Sequence, residues 1–114
     1  VVNAAEDLLA VHLAELGLDF ERQYPYAKGR KFKADFAVWY PAQQRWPHEL
    51  HGARFALIEV QGGIYSRQAH GSVTGVLADN ERLYQAYLNG WHMIRVTPQQ
   101  VESGEAKALI EAML

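Results

Sequence analysis

The sequence predicts an α/β fold in a single domain over residues 1–114, and three observations carry that expectation. Lys31 to Tyr40 and Phe55 to Gln61 alternate along the chain, the period of a strand with two unlike faces. Residues 3–16 and 73–89 instead repeat their apolar side chains at helical spacing. The resulting order is helix, three strands, helix, strand, helix, with no repeat, linker or low-complexity tract interrupting it.

Composition narrows the function. With 114 residues, 49% hydrophobic and 21% charged, the chain buries a sizeable core unaided and is not disordered. It has no cysteine, which removes disulfides, Cys-ligated zinc and thiol nucleophiles and is compatible with a reducing, intracellular setting. No apolar run approaches the ~20 residues of a membrane span and there is no signal peptide, so no membrane partner is expected. Val1 in place of Met suggests a domain cut from something longer. The net charge of −2 argues against a broadly basic nucleic-acid binder. It is compatible with one whose carboxylates are neutralised by bound metal and whose basic residues gather on one side.

The first helix, residues 3–16, has Asn3 as its N-cap, Glu6 in a capping-box position and Gly17 as its stop. On a wheel of ~100° per residue, Ala5, Leu8, Leu9, His12, Leu13 and Leu16 make the buried stripe. Glu6 borders that stripe and Asp7 lies opposite, so Glu6 is either a cap or an acid that looks inward; His12 reads as a core histidine. Phe20 to Tyr26 form the first strand, closed by Pro25 and the Lys28-Gly29 turn. In the second strand Phe32, Ala34, Phe36 and Val38 face the core, while Lys33, Asp35, Ala37 and Trp39 line the other side.

Pro41 to Arg54 reads as a long loop or irregular hairpin carrying Arg45, Trp46, His48, His51 and Arg54, and long loops in compact domains are usually functional. Its histidines read as surface residues, because their spacing suits no standard zinc site. In the third strand Leu57, Glu59 and Gln61 share one face and Ala56, Ile58 and Val60 the other, before Gly62 and Gly63 stop it. Ile64 to Ser72 is a polar loop whose Arg67 and His70 suit phosphate contacts or an ordinary surface equally. The second helix, Val73 to Asn89, gathers Val73, Val76, Leu77, Tyr84, Tyr87 and Leu88 on one face, with Asn80 among them and Gly90 as the stop. Trp91 to Thr97 is the fourth strand, ended by Pro98, and Val101, Leu109, Ile110 and Met113 recur at helical spacing in a final helix.

Two mid-strand acids want a chemical reason. Asp is depleted in strands, and Glu59 between Ile58 and Val60 is costly to bury unless a cation pairs with it. A strand Asp, a strand Glu with a polar residue ~6.6 Å further along the same face, and a helix with an inward Glu together meet the needs of a metal-dependent phosphodiesterase. Mg²⁺ takes near-octahedral oxygen ligands, usually one or two carboxylates with water and substrate phosphate. It then acidifies a water and stabilises the charge that develops on the phosphate.

Asp35 followed by Glu59-Val60-Gln61 on this element order resembles the PD-(D/E)XK nuclease superfamily. The longer string Ile58-Glu-Val-Gln-Gly-Gly-Ile64, then Arg67, His70 and Asp79-Asn-Glu-Arg82, and later Leu88-Asn-Gly-Trp-His-Met-Ile-Arg-Val-Thr-Pro98, is similar to compact phage-type and VRR-NUC-like endonuclease domains. The resemblance implies a restriction-endonuclease-like α-β-β-β-α-β core with a C-terminal helix and a central mixed four-stranded sheet flanked by helices. It implies a Mg²⁺- or Mn²⁺-dependent DNA endonuclease, bacterial or phage-encoded and cytoplasmic, with branched or junction DNA as the extended expectation. Glu6, Asp35 and Glu59 are then the metal-binding acids, the Val60 carbonyl a backbone ligand, and Arg67, His70, Arg45 and Arg54 the DNA contacts. The chain departs from the superfamily pattern at Gln61, where Lys is usual, and at Ala34, where Pro is usual. Lys33, two residues before Asp35, is the candidate replacement charge, and the Gln61 amide the group that orients the attacking water. A homodimer suits a small domain that cuts both strands. Two other classes stay open: a nucleic-acid-binding module that does not cleave, and a structural domain whose acids only pair with nearby basic residues.

Overall fold

The structure, a computed structural model, describes residues 2–42, 51–62 and 73–114. Its elements are α1 (Val2–Glu15), β1 (Asp19–Pro25), β2 (Lys33–Trp39), β3 (Arg54–Val60), α2 (Val73–Leu88), β4 (Met93–Val96), α3 (Pro98–Ser103) and α4 (Glu105–Met113). Arg45, Trp46, His48, Gly63, Arg67 and His70 lie outside the described residues.

Among the described residues the strands form one mixed four-stranded sheet in the order β1-β2-β3-β4, flanked by helices. β1, β2 and β3 are antiparallel neighbours, and β4 runs parallel to β3. A parallel pair needs a crossover, and α2 lies in it. This places the C-terminal ends of β3 and β4 side by side, the position from which an α/β sheet presents chemistry to a ligand.

Local sequence explains the helix ends. Gly17, at φ 75°, stops α1, and the Leu18 N–H then closes on the Leu13 carbonyl at 3.1 Å. Gly90, at φ 79°, ends α2 in the same way, with the Trp91 N–H on the Ala86 carbonyl at 2.9 Å. The start of α1 differs from expectation: the helix begins at Val2, so Asn3 lies within it and is not its cap. The single helix expected at the C-terminus is broken in two. Thr97 caps α3 through a capping box with Gln100, and Gly104, in the left-handed region, ends α3 and starts α4.

Both faces of the sheet are covered. Leu9 and Leu13 of α1, Val101 of α3 and Ala106 and Ile110 of α4 pack on Phe36, Val38, Ile58 and Val96. On the opposite face Tyr26, Ala34, Ala37, Trp39 and Leu57 meet Ala86 of α2 and Trp91. Trp39 and Trp91 stand edge to face at 5.3 Å. The side of β2 read as its non-core face is therefore a second core.

The apolar face of α2 does not cover the sheet. Val73, Val76, Leu77, Tyr84, Tyr87 and Leu88 are all exposed, and among the described residues only Ala86 of this helix is buried. The helix instead sends Arg82 to Glu59 and Asp79 to Arg95 on the sheet. Two charged strand residues below it require charged partners, and that requirement outweighs the hydrophobic stripe in setting the helix's rotation. Among the described residues no helix is long and apolar enough to cross a membrane.

Candidate functional site

The site begins where β2 and β3 part. Their backbone pairing ends at Phe36 opposite Ile58, and one residue further the Asp35 Oδ2 accepts the Val60 N–H at 2.8 Å. A side chain has taken over a ladder bond. On the β1 side, Gln23 stands opposite Asp35 with φ 52°, the single non-glycine residue in the left-handed region among the described residues. Its Nε2 reaches Asp35 Oδ1 at 3.4 Å. Ala34 packs with Ala37 and Trp39 on the α2 side, whereas Phe36 packs on the α1 side, so the faces of β2 exchange at Asp35.

That exchange brings the Asp35 carboxyl to Glu6 on α1, with which it hydrogen-bonds. Glu6 is only 5% exposed. Burial raises its pKa above the ordinary carboxylate value, and the Asp35 charge and hydrogen bond raise it further; Arg22 offsets this in part. Two of the three expected acids thus meet, in a setting that disfavours two negative charges.

The third acid, Glu59, has arginine partners. Glu59 Oε1 accepts a hydrogen bond from Arg82 Nη2, and Arg95 Nε lies 3.7 Å from Glu59 Oε2. Arg95 is the register partner of Glu59 on β4 and is held bidentate by Asp79 at 2.8 and 2.6 Å. Arg82 also donates to the Lys33 carbonyl at 3.1 Å and lies over the Phe32 ring at 5.4 Å. Burial pulls the Arg82 pKa down, but the Glu59 hydrogen bond and charge outweigh it and the net shift is upward. The cations at Glu59 are therefore Arg82 and Arg95, and the side chain of Lys33, the candidate replacement charge, is exposed. Among the described residues no group of three or more His, Asp or Glu side chains is placed to hold a metal. Asp35 and Glu59 have different hydrogen-bond partners, the Val60 N–H and the Arg82 guanidinium, while the charges of both bear on Arg82.

No protein-family model, curated protein or solved structure matches this chain.

The remaining candidates divide by position. Gln61 is half-buried at the end of β3, its N–H on the Val96 carbonyl at 2.7 Å. Arg54 begins β3, five residues and ~17 Å from Glu59. Its Nη1 donates to the Asn89 carbonyl at 2.6 Å and its guanidinium lies 4.7 Å over the Trp91 ring. There it lines a cavity of about 350 Å³ with Tyr40, Phe55, His92, Ile94 and Met113, away from the acids it was expected to adjoin. His51 stacks on Trp39 at 4.0 Å and bonds Glu21 at 2.9 Å, a structural placement.

Asp79, Arg82 and Arg95 stand in the strings that carry the resemblance, but the sequence alone assigns them no role at the site. A signal was present. Arg95 interrupts an apolar strand as Glu59 does, and Asp79 and Arg82 stand three apart on a helix and so share a face. Chemically, the acid pair can take a divalent cation, which needs only one or two carboxylates. The arginine pair can take phosphate oxygens through charge-assisted hydrogen bonds.

Proposed function

We propose that this protein is a divalent-metal-dependent DNA endonuclease on a restriction-endonuclease-like fold. The observation that supports this most is the buried Glu6 carboxyl beside the half-buried Asp35 carboxyl at the point where β2 and β3 separate. An acid pair that burial and mutual repulsion destabilise is relieved by a cation, and its oxygen chemistry fits Mg²⁺ or Mn²⁺. Glu6 and Asp35 would hold the ion, with the Val60 carbonyl as the backbone donor of the same region. When bound, the ion supplies an acidified water and charge neutralisation at phosphate.

The chain's own residues supply the rest. Arg82 is held in orientation by the Lys33 carbonyl and the Phe32 ring, and it is ready to donate to a phosphate oxygen that displaces Glu59. Glu59 keeps that guanidinium aligned until then. Gln61 offers a neutral amide, donor and acceptor together, to orient a water. Arg67, His70 and Arg45, outside the described residues, are the proposed DNA contacts, and branched or four-way DNA is the proposed preference.

Cleavage of linear, nicked and four-way DNA is to be followed with Mg²⁺ and with EDTA, beside the metal dependence of the melting temperature. The expected outcome is metal-dependent cutting that Asp35→Asn abolishes, and a metal-induced rise in Tm that Asp35→Asn and Glu6→Gln both lose. Absence of any metal effect on cleavage or Tm overturns the reading. One observation favours a second function: Glu59 is already neutralised by Arg82 and Arg95. A module that binds nucleic acid without cutting it would show salt-dependent DNA affinity and no metal-dependent cleavage.

A further inference from the structure

The exposed face of α2 is a continuous surface. Val73, Val76, Leu77, Tyr84, Tyr87 and Leu88 are 77, 44, 63, 60, 77 and 74% exposed. Along it Val73, Leu77, Asn80, Tyr84 and Tyr87 alternate spacings of four and three, the repeat of a helix–helix seam. The stripe contains no Lys or Arg, since Arg82 points to Glu59 on the other side of the helix. Neither a phosphate backbone nor an anionic lipid surface finds its basic counterpart here. An apolar helix does.

We infer that this helix is a second copy of the same chain, the two α2 helices packing antiparallel about a two-fold axis at Asn80. Asn80 lies at the middle of Val73–Leu88, so antiparallel self-pairing sets Asn80 against its own symmetry mate and the Val73 end against the Leu88 end of the second copy. The Asn80 side chain is half-buried within this face. A neutral amide carries both donor and acceptor, so two of them satisfy each other across a two-fold axis, and one polar residue in an apolar seam fixes its register. The six exposed side chains offer on the order of 700 Å² per copy, close to the ~800 Å² per partner of a stable interface. The inference rests on the α2 face and is independent of the acids and of any activity.

The test is the mass of the full chain in solution, by sedimentation equilibrium across a dilution series. The wild type is expected to be a dimer that dissociates on dilution, and Leu77→Glu and Tyr84→Glu are each expected to halve the apparent mass with an unchanged circular dichroism spectrum. As both side chains are more than half exposed, the fold tolerates the charge. A second measurement uses the absence of cysteine. Asn80→Cys is expected to cross-link to itself with a short bismaleimide, while Glu102→Cys, exposed on α3, is not. A wild type that stays monomeric, a dimer indifferent to both glutamates, or equal cross-linking at the two positions overturns the proposal.

Discussion

Gln23 carries a conformational cost that only its place opposite Asp35 explains. A side chain in the left-handed region costs about 1–2 kcal/mol. Gln23→Gly should therefore stabilise the protein by about 1 kcal/mol and Gln23→Val destabilise it by about as much, read from urea midpoints at constant slope. Arg82 is a different case, because its removal leaves Glu59 half-buried without its main partner. Arg82→Met is expected to cost about 2 kcal/mol, between exposed and fully buried pairs, and the cost should shrink when Glu59→Gln is made beside it. Tyr26 supplies a pH signature. Burial first, then the charges of Glu59 and Asp79, raise its pKa from the usual 10.0 against the pull of Arg82 and Arg95. Because the folded state disfavours the phenolate, stability is full below the unfolded pKa and is lost as pH rises through the folded one. In Tyr26→Phe, the alkaline decline of stability should be shallower by up to one proton's slope.

At the scale of elements, strands and helix stops were legible in the sequence, and the rotation of α2 was not. Alternation fixed Ile58 and Val60 against one layer and Leu57 against the other, as found. The wheel of α2 ranks side chains by hydrophobicity and contains nothing about what lies beneath them. Glu59 and Arg95 lie there, and they recruit Arg82 and Asp79. The loop between β2 and β3 holds a further constraint. A Cβ built on Gly52 would stand 2.5 Å from the Pro41 carbonyl oxygen and 2.6 Å from that of Tyr40, while the Gly52 N–H bonds the latter at 3.0 Å. Gly52→Ala should therefore cost about 2 kcal/mol through backbone displacement, seen as a lower Tm.

For the molecule as a whole, Glu6 and Asp35 each have a local signature, Glu6 at the border of a helical stripe and Asp35 within a strand, but the sequence pairs Asp35 with Glu59 and leaves Glu6 open as a cap. Their meeting depends on the exchange of faces at Asp35, which strict period-2 reading does not foresee. The Arg82–Glu59 contact spans 23 residues and a crossover, and nothing local encodes it. That crossover also governs how the fold opens. Since Ala86 is the one residue of α2 that is buried among the described residues, the helix is secured to the sheet by few apolar contacts and a charged network. Amide hydrogens of α2 should then exchange through local opening, well before those of β2 and β3. If the second copy supplies the missing contacts, their protection factors will rise with protein concentration while those of the sheet stay constant, so that the folding of this helix is coupled to mass action.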